Sequence, residues 1–267
     1  ANVSTNVTLS SCVFEMNSAF DGGALTAWSV SVVHAMGCTW KRNVASMWGG
    51  AIRVYLDTEL VLLTNVFSMN NASHGGSVHA WSDCTVSAND TNWMNNMASK
   101  EGGAVSLVTN TPLMLTGCSF HGNNATDGGG VFAKDNSAVY AHWTIWTSNM
   151  ATVAGGGVGT GPRITVMLED CDLEGNMAMF GAGVYAPDQC NVTCEHSSFM
   201  ENVASHEGGG AALYSSSMLK MKSCDFENNE AMNGGGVYAE DTCTVHATDS
   251  TWESNFAYSE GGAMLAN

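Results

Sequence analysis

Three observations predict an all-β fold, a right-handed parallel β-helix of ten coils. An asparagine recurs ten times along the 267 residues, at steps that alternate between 26 and 27. An aromatic residue or a leucine stands three positions before each asparagine, and an alanine stands two positions after it. A glycine-rich segment follows, and its first glycine lies 21 residues before the next asparagine. A fixed period of this length is the signature of a solenoid.

The repeated asparagine predicts a ladder inside the solenoid. Its members are Asn17, Asn43, Asn70, Asn96, Asn123, Asn149, Asn176, Asn202, Asn229 and Asn255. We expect each to close a tight corner and to hydrogen bond to the asparagines of the coils above and below. Because the step alternates, the true unit is a two-coil repeat of 53 residues. We expect a single β-helix domain over residues 1–267, without separate caps.

Alternating apolar residues predict three short strands in each coil, stacked as parallel ladders about 4.8 Å apart. The first strand carries Leu or Met in every odd coil and Ala or Cys in every even coil. The strand after the glycines reverses this order, with Ala27 and Ala80 in odd coils and Val54 and Leu107 in even coils. A large side chain therefore faces a small one across each coil, which keeps the core volume nearly constant.

The charge balance limits the class of partner. The formal net charge is -17 with eight Lys and Arg residues, which excludes a phosphate-binding surface and so a nucleic-acid partner. No apolar run approaches 18 residues, so we expect no membrane span. The sequence shows no leader pattern and does not begin with Met, so we expect a mature or excised piece of a protein.

A Gly-Gly-Ala-Ile/Val segment followed by Phe-x-x-Asn resembles the repeat of chlamydial polymorphic outer membrane proteins. The matching residues are Gly49 to Ile52 with Phe67 and Asn70, and Gly102 to Val105 with Phe120 and Asn123. Related β-helix repeats also occur in large surface proteins of algae and other protists. The resemblance covers all ten coils and implies a cell-surface or secreted protein with an adhesive or structural role.

Two surface features indicate contacts outside the fold. N-glycosylation sequons occur at corners or outward positions, at Asn2, Asn6, Asn71, Asn89, Asn124 and Asn191. We expect covalent glycans on some of them if the source is eukaryotic. Trp28, Tyr55 and Trp81 share one outward position in adjacent coils. This column predicts either a sugar platform or lateral contact surface, or simple stacking that stiffens the sheet.

Nine cysteines in an acidic chain with sequons favour an oxidising compartment, that is, an extracellular or cell-surface location. Five of them, Cys12, Cys38, Cys118, Cys171 and Cys224, share an inward position. Candidate disulfides join Cys12 to Cys38, and Cys194 to Cys171 or Cys224. Buried free thiols are the alternative.

The sequence offers little for catalysis or metal binding. No coil has an inserted loop long enough to form the wall of a cleft. The basic residues share no obvious column with carboxylates, and the eight histidines are scattered along the chain. We therefore expect no enzyme and no cofactor. One alternative is Ca²⁺ on the outward acidic residues of the second strand, Asp172, Glu174, Asp225, Glu227 and Glu253.

The two ends of the sequence have the same pattern as its middle. This favours stacking, either on adjacent coils of a longer chain or head to tail on other copies, which yields a filament. The sequence thus predicts a structural segment of an extracellular, glycosylated filament or surface fibre. The alternative is an adhesin or carbohydrate-binding passenger that uses Trp28, Tyr55 and Trp81. The third candidate is a polysaccharide-active enzyme.

Overall fold

The computed structural model describes residues 5–267 and is a parallel β-solenoid of ten coils, as predicted. Its forty strands, numbered in chain order, form four parallel ten-stranded sheets. Each coil contributes one strand to each sheet. The prediction of three strands per coil is therefore wrong.

Sheet A holds the first strand of every coil: β1 (Asn6–Ser10), β5 (Val32–Met36), β9 (Glu59–Leu63), β13 (Thr85–Asn89), β17 (Pro112–Thr116), β21 (Ala138–His142), β25 (Thr165–Glu169), β29 (Asn191–Glu195), β33 (Met218–Lys222) and β37 (Thr244–Thr248). Sheet B follows after one corner: β2 (Val13–Glu15), β6 (Thr39–Lys41), β10 (Val66–Ser68), β14 (Asn92–Met94), β18 (Ser119–His121), β22 (Ile145–Thr147), β26 (Asp172–Glu174), β30 (Ser198–Met200), β34 (Asp225–Glu227) and β38 (Thr251–Glu253).

Sheet C lies between the ladder asparagine and the glycines: β3 (Ser18–Asp21), β7 (Val44–Trp48), β11 (Asn71–His74), β15 (Met97–Glu101), β19 (Asn124–Asp127), β23 (Met150–Ala154), β27 (Met177–Phe180), β31 (Val203–Glu207), β35 (Glu230–Asn233) and β39 (Phe256–Glu260). Sheet D follows the glycines: β4 (Leu25–Trp28), β8 (Ile52–Tyr55), β12 (Val78–Trp81), β16 (Val105–Val108), β20 (Val131–Lys134), β24 (Val158–Thr160), β28 (Val184–Ala186), β32 (Ala211–Leu213), β36 (Val237–Ala239) and β40 (Met264–Ala266).

Sheet C is the sheet that the sequence pattern did not predict. Its strands have 4 residues in odd coils and 5 in even coils, which accounts for the alternating period. The register shifts between neighbouring strands, for example between Ala72 and His74, so a bulge absorbs the extra residue. The spacing from asparagine to glycine varies for this reason.

The interior is organised in columns. Nine hydrogen bonds of 2.8–3.1 Å join the ten ladder asparagines from side-chain Nδ2 to the Oδ1 of the next coil. The same Oδ1 also accepts the backbone N–H of the asparagine one coil earlier, as Asn123 Oδ1 does from Asn96. Because these amides satisfy buried backbone groups, the corner stays polar inside an otherwise apolar core.

An aromatic column runs beside the ladder. The rings of Phe14, Trp40, Phe67, Trp93, Phe120 and Trp146 stack in sequence, with centroids 4.1–5.8 Å apart and planes within 10° of parallel. Leu173 interrupts the column, and Phe199, Phe226 and Trp252 resume it. These side chains form the centre of one continuous hydrophobic core, together with the alternating large and small residues of sheets A and D.

The corner between sheets C and D requires glycine in every coil. The first glycine has a positive φ, +67° at Gly102, and a Cβ there would lie 2.2 Å from the carbonyl oxygen of Val105. At the next position, a Cβ on Gly103 would lie 2.1 Å from the carbonyl oxygen of Gly129 one coil later. The other corners accept positive φ at residues with side chains, such as Ser11 and Asn228. Positive φ and close approach of backbone to backbone therefore explain the glycine at the first position of every coil, whereas the second position accepts Ala182 in the seventh coil.

In the described part of the chain, no helix has the length and apolar character needed to cross a membrane.

Candidate functional site

Two rows of outward side chains meet at the glycine corner, and we call the space between them the groove. The first row ends the strands of sheet C and includes Asp21, Trp48, His74, Glu101 and Asp127. The second row is the outward position of sheet D and includes Thr26, Arg53, His79, Ser106 and Phe132. Since glycine places no side chain between them, the two rows come into contact.

Residues of coils two to five line a half-open cavity of about 230 Å³ in the groove, which we call the groove pocket. Trp48, His74 and Glu101 of sheet C line one side of it, and Arg53 and His79 of sheet D line the other. Trp81, Val108 and Lys134 line its edge. These last three belong to the same outward column as Trp28 and Tyr55, because they are register partners in sheet D.

Arg53 is the fixed positive charge of the groove pocket. Its side chain is buried, and its guanidinium carbon lies 4.4 Å from the ring centroid of Trp48 and 4.6 Å from that of Tyr55. Its Nη1 donates to Oδ2 of Asp21. Its Nε has no hydrogen-bond partner among the described residues. The site therefore contains a buried N–H donor that has no hydrogen-bond acceptor in the described part of the chain.

Two histidines that line the same cavity also have buried nitrogens without partners. Burial, together with the positive charge of Arg53, lowers the pKa of His79 well below its ordinary value. Burial also lowers the pKa of His74, although the nearby Glu101 carboxylate opposes the shift. Both rings are therefore neutral at pH 7, and each has an Nδ1 without a partner in the part of the chain described. A neutral imidazole can donate with one nitrogen and accept with the other.

Carboxylates balance the positive charges. Lys134 Nζ lies 2.6 Å from Glu101 Oε2, and Arg53 is paired with Asp21. Beyond the pocket, burial and the charge of Glu101 raise the pKa of Asp127. The sequence shows no obvious column that joins basic residues to carboxylates, and neither of these two pairs shares a column. The partners lie 32 or 33 residues apart, one in sheet C and one in sheet D of the next coil, so inspection of a single column misses them.

The outward aromatic column remains partly open to solvent. The ring centroids of Trp28 and Tyr55 lie 6.0 Å apart, and those of Tyr55 and Trp81 lie 6.5 Å apart. Trp28 is 53% exposed and Trp81 is 40% exposed. Phe132 and Tyr238 also point away from the core, but they are buried in the groove. Of the three column residues, Trp81 alone borders the groove pocket.

A tyrosine cluster occupies the other end of the groove. Tyr214 lies 5.7 Å from Tyr185 and 5.6 Å from Tyr238 between ring centroids. The Tyr214 hydroxyl donates to Glu207, and that of Tyr238 donates to Glu240 at 2.7 Å. Burial and the bonded carboxylates raise the pKa of both phenols. Here the polar groups satisfy one another, unlike those of the groove pocket.

All nine cysteines lie within the described residues, and all are free thiols in this structure. Cys12 and Cys38 are neighbours in one column, with the Cys12 N–H 3.4 Å from Cys38 Sγ. Cys224 Sγ donates to the carbonyl oxygen of Cys194 at 3.2 Å, and Cys171 lies two coils earlier in the same column as Cys224. Burial raises the pKa of the Cys118 thiol to about 11 and that of Cys171 to about 12. The disulfides proposed from the sequence remain a prediction.

The sequons differ in their access to solvent. Asn6, Asn89 and Asn191 are exposed, whereas Asn71 and Asn124 are half-buried at the start of sheet C strands. Asn2 lies outside the described residues. Accessibility therefore divides the candidate glycan sites into two groups.

The acidic residues of sheet B do not form a continuous stack. Ser198 separates Asp172 from Asp225 in the register, and its hydroxyl donates to Asp172 Oδ1 at 2.6 Å. A different group was missed because His142 is distant in sequence from the two carboxylates that it meets. One ligand atom each from His142, Glu169 and Asp170 lies within 4.8 Å of the others, a spacing that could hold a metal ion. His142 and Glu169 are register partners, so the coil period was the signal.

Comparisons with known proteins agree with this architecture. Residues 92–257, well over half of the chain, match the sequence model of the right-handed β-helix region family. A segment of 176 residues, 65% of this chain, is 30% identical to metabotropic glutamate receptor-like protein R of Dictyostelium discoideum. The chain spans 11% of the length of that relative. No solved structure matches the chain. With ten coils, four parallel sheets and this family match, the chain belongs to the right-handed β-helix family.

Proposed function

We propose that the chain is a rigid, non-enzymatic segment of an extracellular or cell-surface fibre. The observation that supports this best is its uniformity: four ten-stranded sheets run through residues 5–267 without an interruption. The asparagine ladder extends through all ten coils, so consecutive coils are tied at the same point. Such an array resists bending because each coil pairs with its neighbours through four sheets in a fixed register.

The register also supports stacking between segments. Each coil offers its neighbour the same row of backbone donors and acceptors, and the same aromatic and asparagine columns. A coil edge can therefore pair with a coil of the same chain or of another copy. The receptor-like relative is much longer than this chain, which fits a repeat segment within a larger surface protein. Head-to-tail pairing of copies does not close, so it produces filaments.

Electron microscopy of the native material and of the purified chain tests the proposal. We expect filaments with an axial repeat of roughly 48 Å, because ten coils stack at about 4.8 Å each. Trp252→Lys should abolish association, since it places a charge in the aromatic column of the tenth coil, where Trp252 stacks on Phe226. Trp28→Lys, on the lateral surface, is the matched control and should assemble normally.

Two outcomes would contradict the proposal. Discrete rods about one segment long at all protein concentrations would exclude stacking between copies. Native material without any coil repeat would exclude the fibre itself.

We also propose N-glycosylation at the exposed sequons. Asn6, Asn89 and Asn191 should be modified more completely than Asn71 and Asn124, because a half-buried amide is harder for the transferase to reach. Mass spectrometry of the chain secreted from eukaryotic cells, before and after removal of the glycans, measures the occupancy of each site. Equal occupancy at all five sites would show that burial does not control modification.

A further inference from the structure

The corner between sheets A and B concentrates metal-ligating side chains in coils six to eight. The strands of sheet A end there with His142, Glu169 and Glu195, which are consecutive register partners. The corner residue that follows is Asp170 in coil seven and His196 in coil eight, with matching φ values of 50° and 48°. Two histidines and three carboxylates therefore occupy two adjacent columns of one corner.

This set of ligands is confined to one place on the rod. In the neighbouring coils, the same position of sheet A holds Thr116 on one side and Lys222 on the other. The fold alone does not require the set, because that position accepts a hydroxyl or an ammonium group equally well.

Three of the side chains already converge. One ligand atom each from His142, Glu169 and Asp170 lies within 4.8 Å of the other two. His142 Nε2 and Asp170 Oδ2 are 3.2 Å apart. Two ligands of a tetrahedral ion with bonds of about 2.0–2.1 Å lie roughly 3.3 Å apart, so this pair is correctly spaced. The ring of Trp143 stacks on that of His142, with centroids 3.9 Å apart, and so restricts the orientation of the imidazole.

The carboxylates of this corner lack a basic partner, unlike those of the groove. In the groove, Glu101 pairs with Lys134. Within residues 5–267, no Lys or Arg forms an ion pair with Glu169 or Asp170, and the one neighbour that can carry a positive charge is His142. A divalent cation would offset this unpaired negative charge.

We propose that this corner binds one divalent transition-metal ion, best matched by Zn²⁺, through His142, Glu169 and Asp170. The site goes beyond the fibre role, because it assigns an ion to one place on the lateral surface. An imidazole nitrogen beside two carboxylate oxygens suits Zn²⁺, whereas Ca²⁺ takes about six to eight oxygen ligands.

The structure leaves space for a further ligand. His142, Glu169 and Glu195 all line a half-open cavity of about 350 Å³. This space admits a water molecule or the Glu195 carboxylate as the fourth ligand of a tetrahedral ion. Because His142 and Glu169 belong to neighbouring coils, the ion would tie coil six to coil seven through side chains.

Zn²⁺ titration of the whole chain tests the site. The protein is treated with EDTA, dialysed and titrated with Zn²⁺ in a calorimeter, with Ca²⁺ as the comparison. We expect one Zn²⁺ per chain, bound at least tenfold more tightly than Ca²⁺. Co²⁺ serves as a spectroscopic probe of the same site, and Zn²⁺ should displace it.

Matched variants locate the ion. His142→Ala and Asp170→Asn each remove one ligand, and we expect each to weaken Zn²⁺ binding at least tenfold. His121→Ala, at an exposed histidine of sheet B, and Asp90→Asn, at the same corner in coil four, are the controls and should leave the affinity unchanged. Circular dichroism should show the same fold in all four variants, because none of these side chains belongs to the core.

The same measurements can overturn the proposal. Unchanged Zn²⁺ affinity in His142→Ala, or an equal loss in His121→Ala, would show that the ion binds elsewhere on the chain. Ca²⁺ bound as tightly as Zn²⁺ would refute a transition-metal site. Absence of Zn²⁺ binding at millimolar concentration would refute the site altogether.

Discussion

The interior columns and the two rows of the groove obey the same register, yet they use it differently. Inside, the asparagine ladder repeats without exception and the aromatic column is broken once, at Leu173. In the groove, the outward position of sheet D changes from Arg53 to His79 to Ser106 to Phe132 over four successive coils. Repetition marks the side chains that hold coil to coil, and variation marks those that give one place on the rod its own chemistry.

Hydrogen-bond satisfaction separates the two regions further. Every ladder amide from Asn43 to Asn229 has partners for both its Nδ2 and its Oδ1. The interior has its own exceptions, the indole N–H groups of Trp93 and Trp146, whereas Trp40 donates to Asn65. In the groove, Arg53, His74 and His79 each have an unsatisfied nitrogen, and Asp21 and Ser106 each have an unsatisfied oxygen.

The largest expected effect is the loss of an interior ring. Trp93 is fully buried and its ring centroid lies 4.4 Å from that of Phe120, so Trp93→Ala should lower the free energy of unfolding by about 3–5 kcal/mol. Trp81→Ala, at an exposed ring of the groove, should lower it by less than about 1 kcal/mol. Urea unfolding followed by circular dichroism measures both. Equal losses for the two variants would show that the interior ring and the groove ring contribute equally to stability.

Next is the loss of a ladder amide. Asn123 bonds to Trp93 O and Asn149 Oδ1, and it accepts from Asn96. Asn123→Ala leaves several buried polar groups without hydrogen-bond partners. We therefore expect the free energy of unfolding to fall by roughly 3 kcal/mol in the same urea assay. Asn89→Ala, at an exposed strand position, is the control and should shift the free energy by less than about 0.5 kcal/mol. A similar small shift at Asn123 would mean that the ladder adds little to stability.

The buried thiols predict a loss of stability in alkali. The pKa is raised by burial to about 11 in Cys84 and Cys118 and to about 12 in Cys171, from an ordinary value of 9.0. Above pH 9.0 the unfolded chain releases these protons while the folded chain retains them, so stability falls as pH rises towards 11. Urea midpoints at a series of pH values measure the decline. Cys171→Ala should make it shallower, and an unchanged slope would show that this thiol does not contribute.

The smallest effect is expected at a groove ion pair. Lys134 and Glu101 are both partly exposed, so solvent screens their attraction and Lys134→Met should cost less than about 1 kcal/mol. Arg53→Met should cost more, because Arg53 is buried and its loss leaves the Asp21 carboxylate without its cation. Thermal unfolding of the two variants in low and high salt compares them. A larger loss for Lys134→Met would reverse the order expected from burial.

Much of the interior could be predicted from the residues, because identical requirements recur in every coil. A residue type that returns at a fixed step must face an equivalent residue in the next coil. This rule predicted that Phe120 lies next to Trp146 in the register. It also predicted that a large side chain faces a small one across the core. The same logic failed for sheet C. Its extra residue in even coils disturbs the period. The backbone remains paired through a bulge, and no residue type at that position predicts the bulge.

The sequence by itself determined the solenoid, its ten coils and its core columns, because stacking at about 4.8 Å turns sequence period into spatial contact. Only the tertiary structure decided the groove. Arg53 meets Asp21, and Lys134 meets Glu101, diagonally across a corner whose sharpness depends on glycine backbones in close contact. Such a contact depends on the angle between two sheets, and the period of a single column carries no information about that angle.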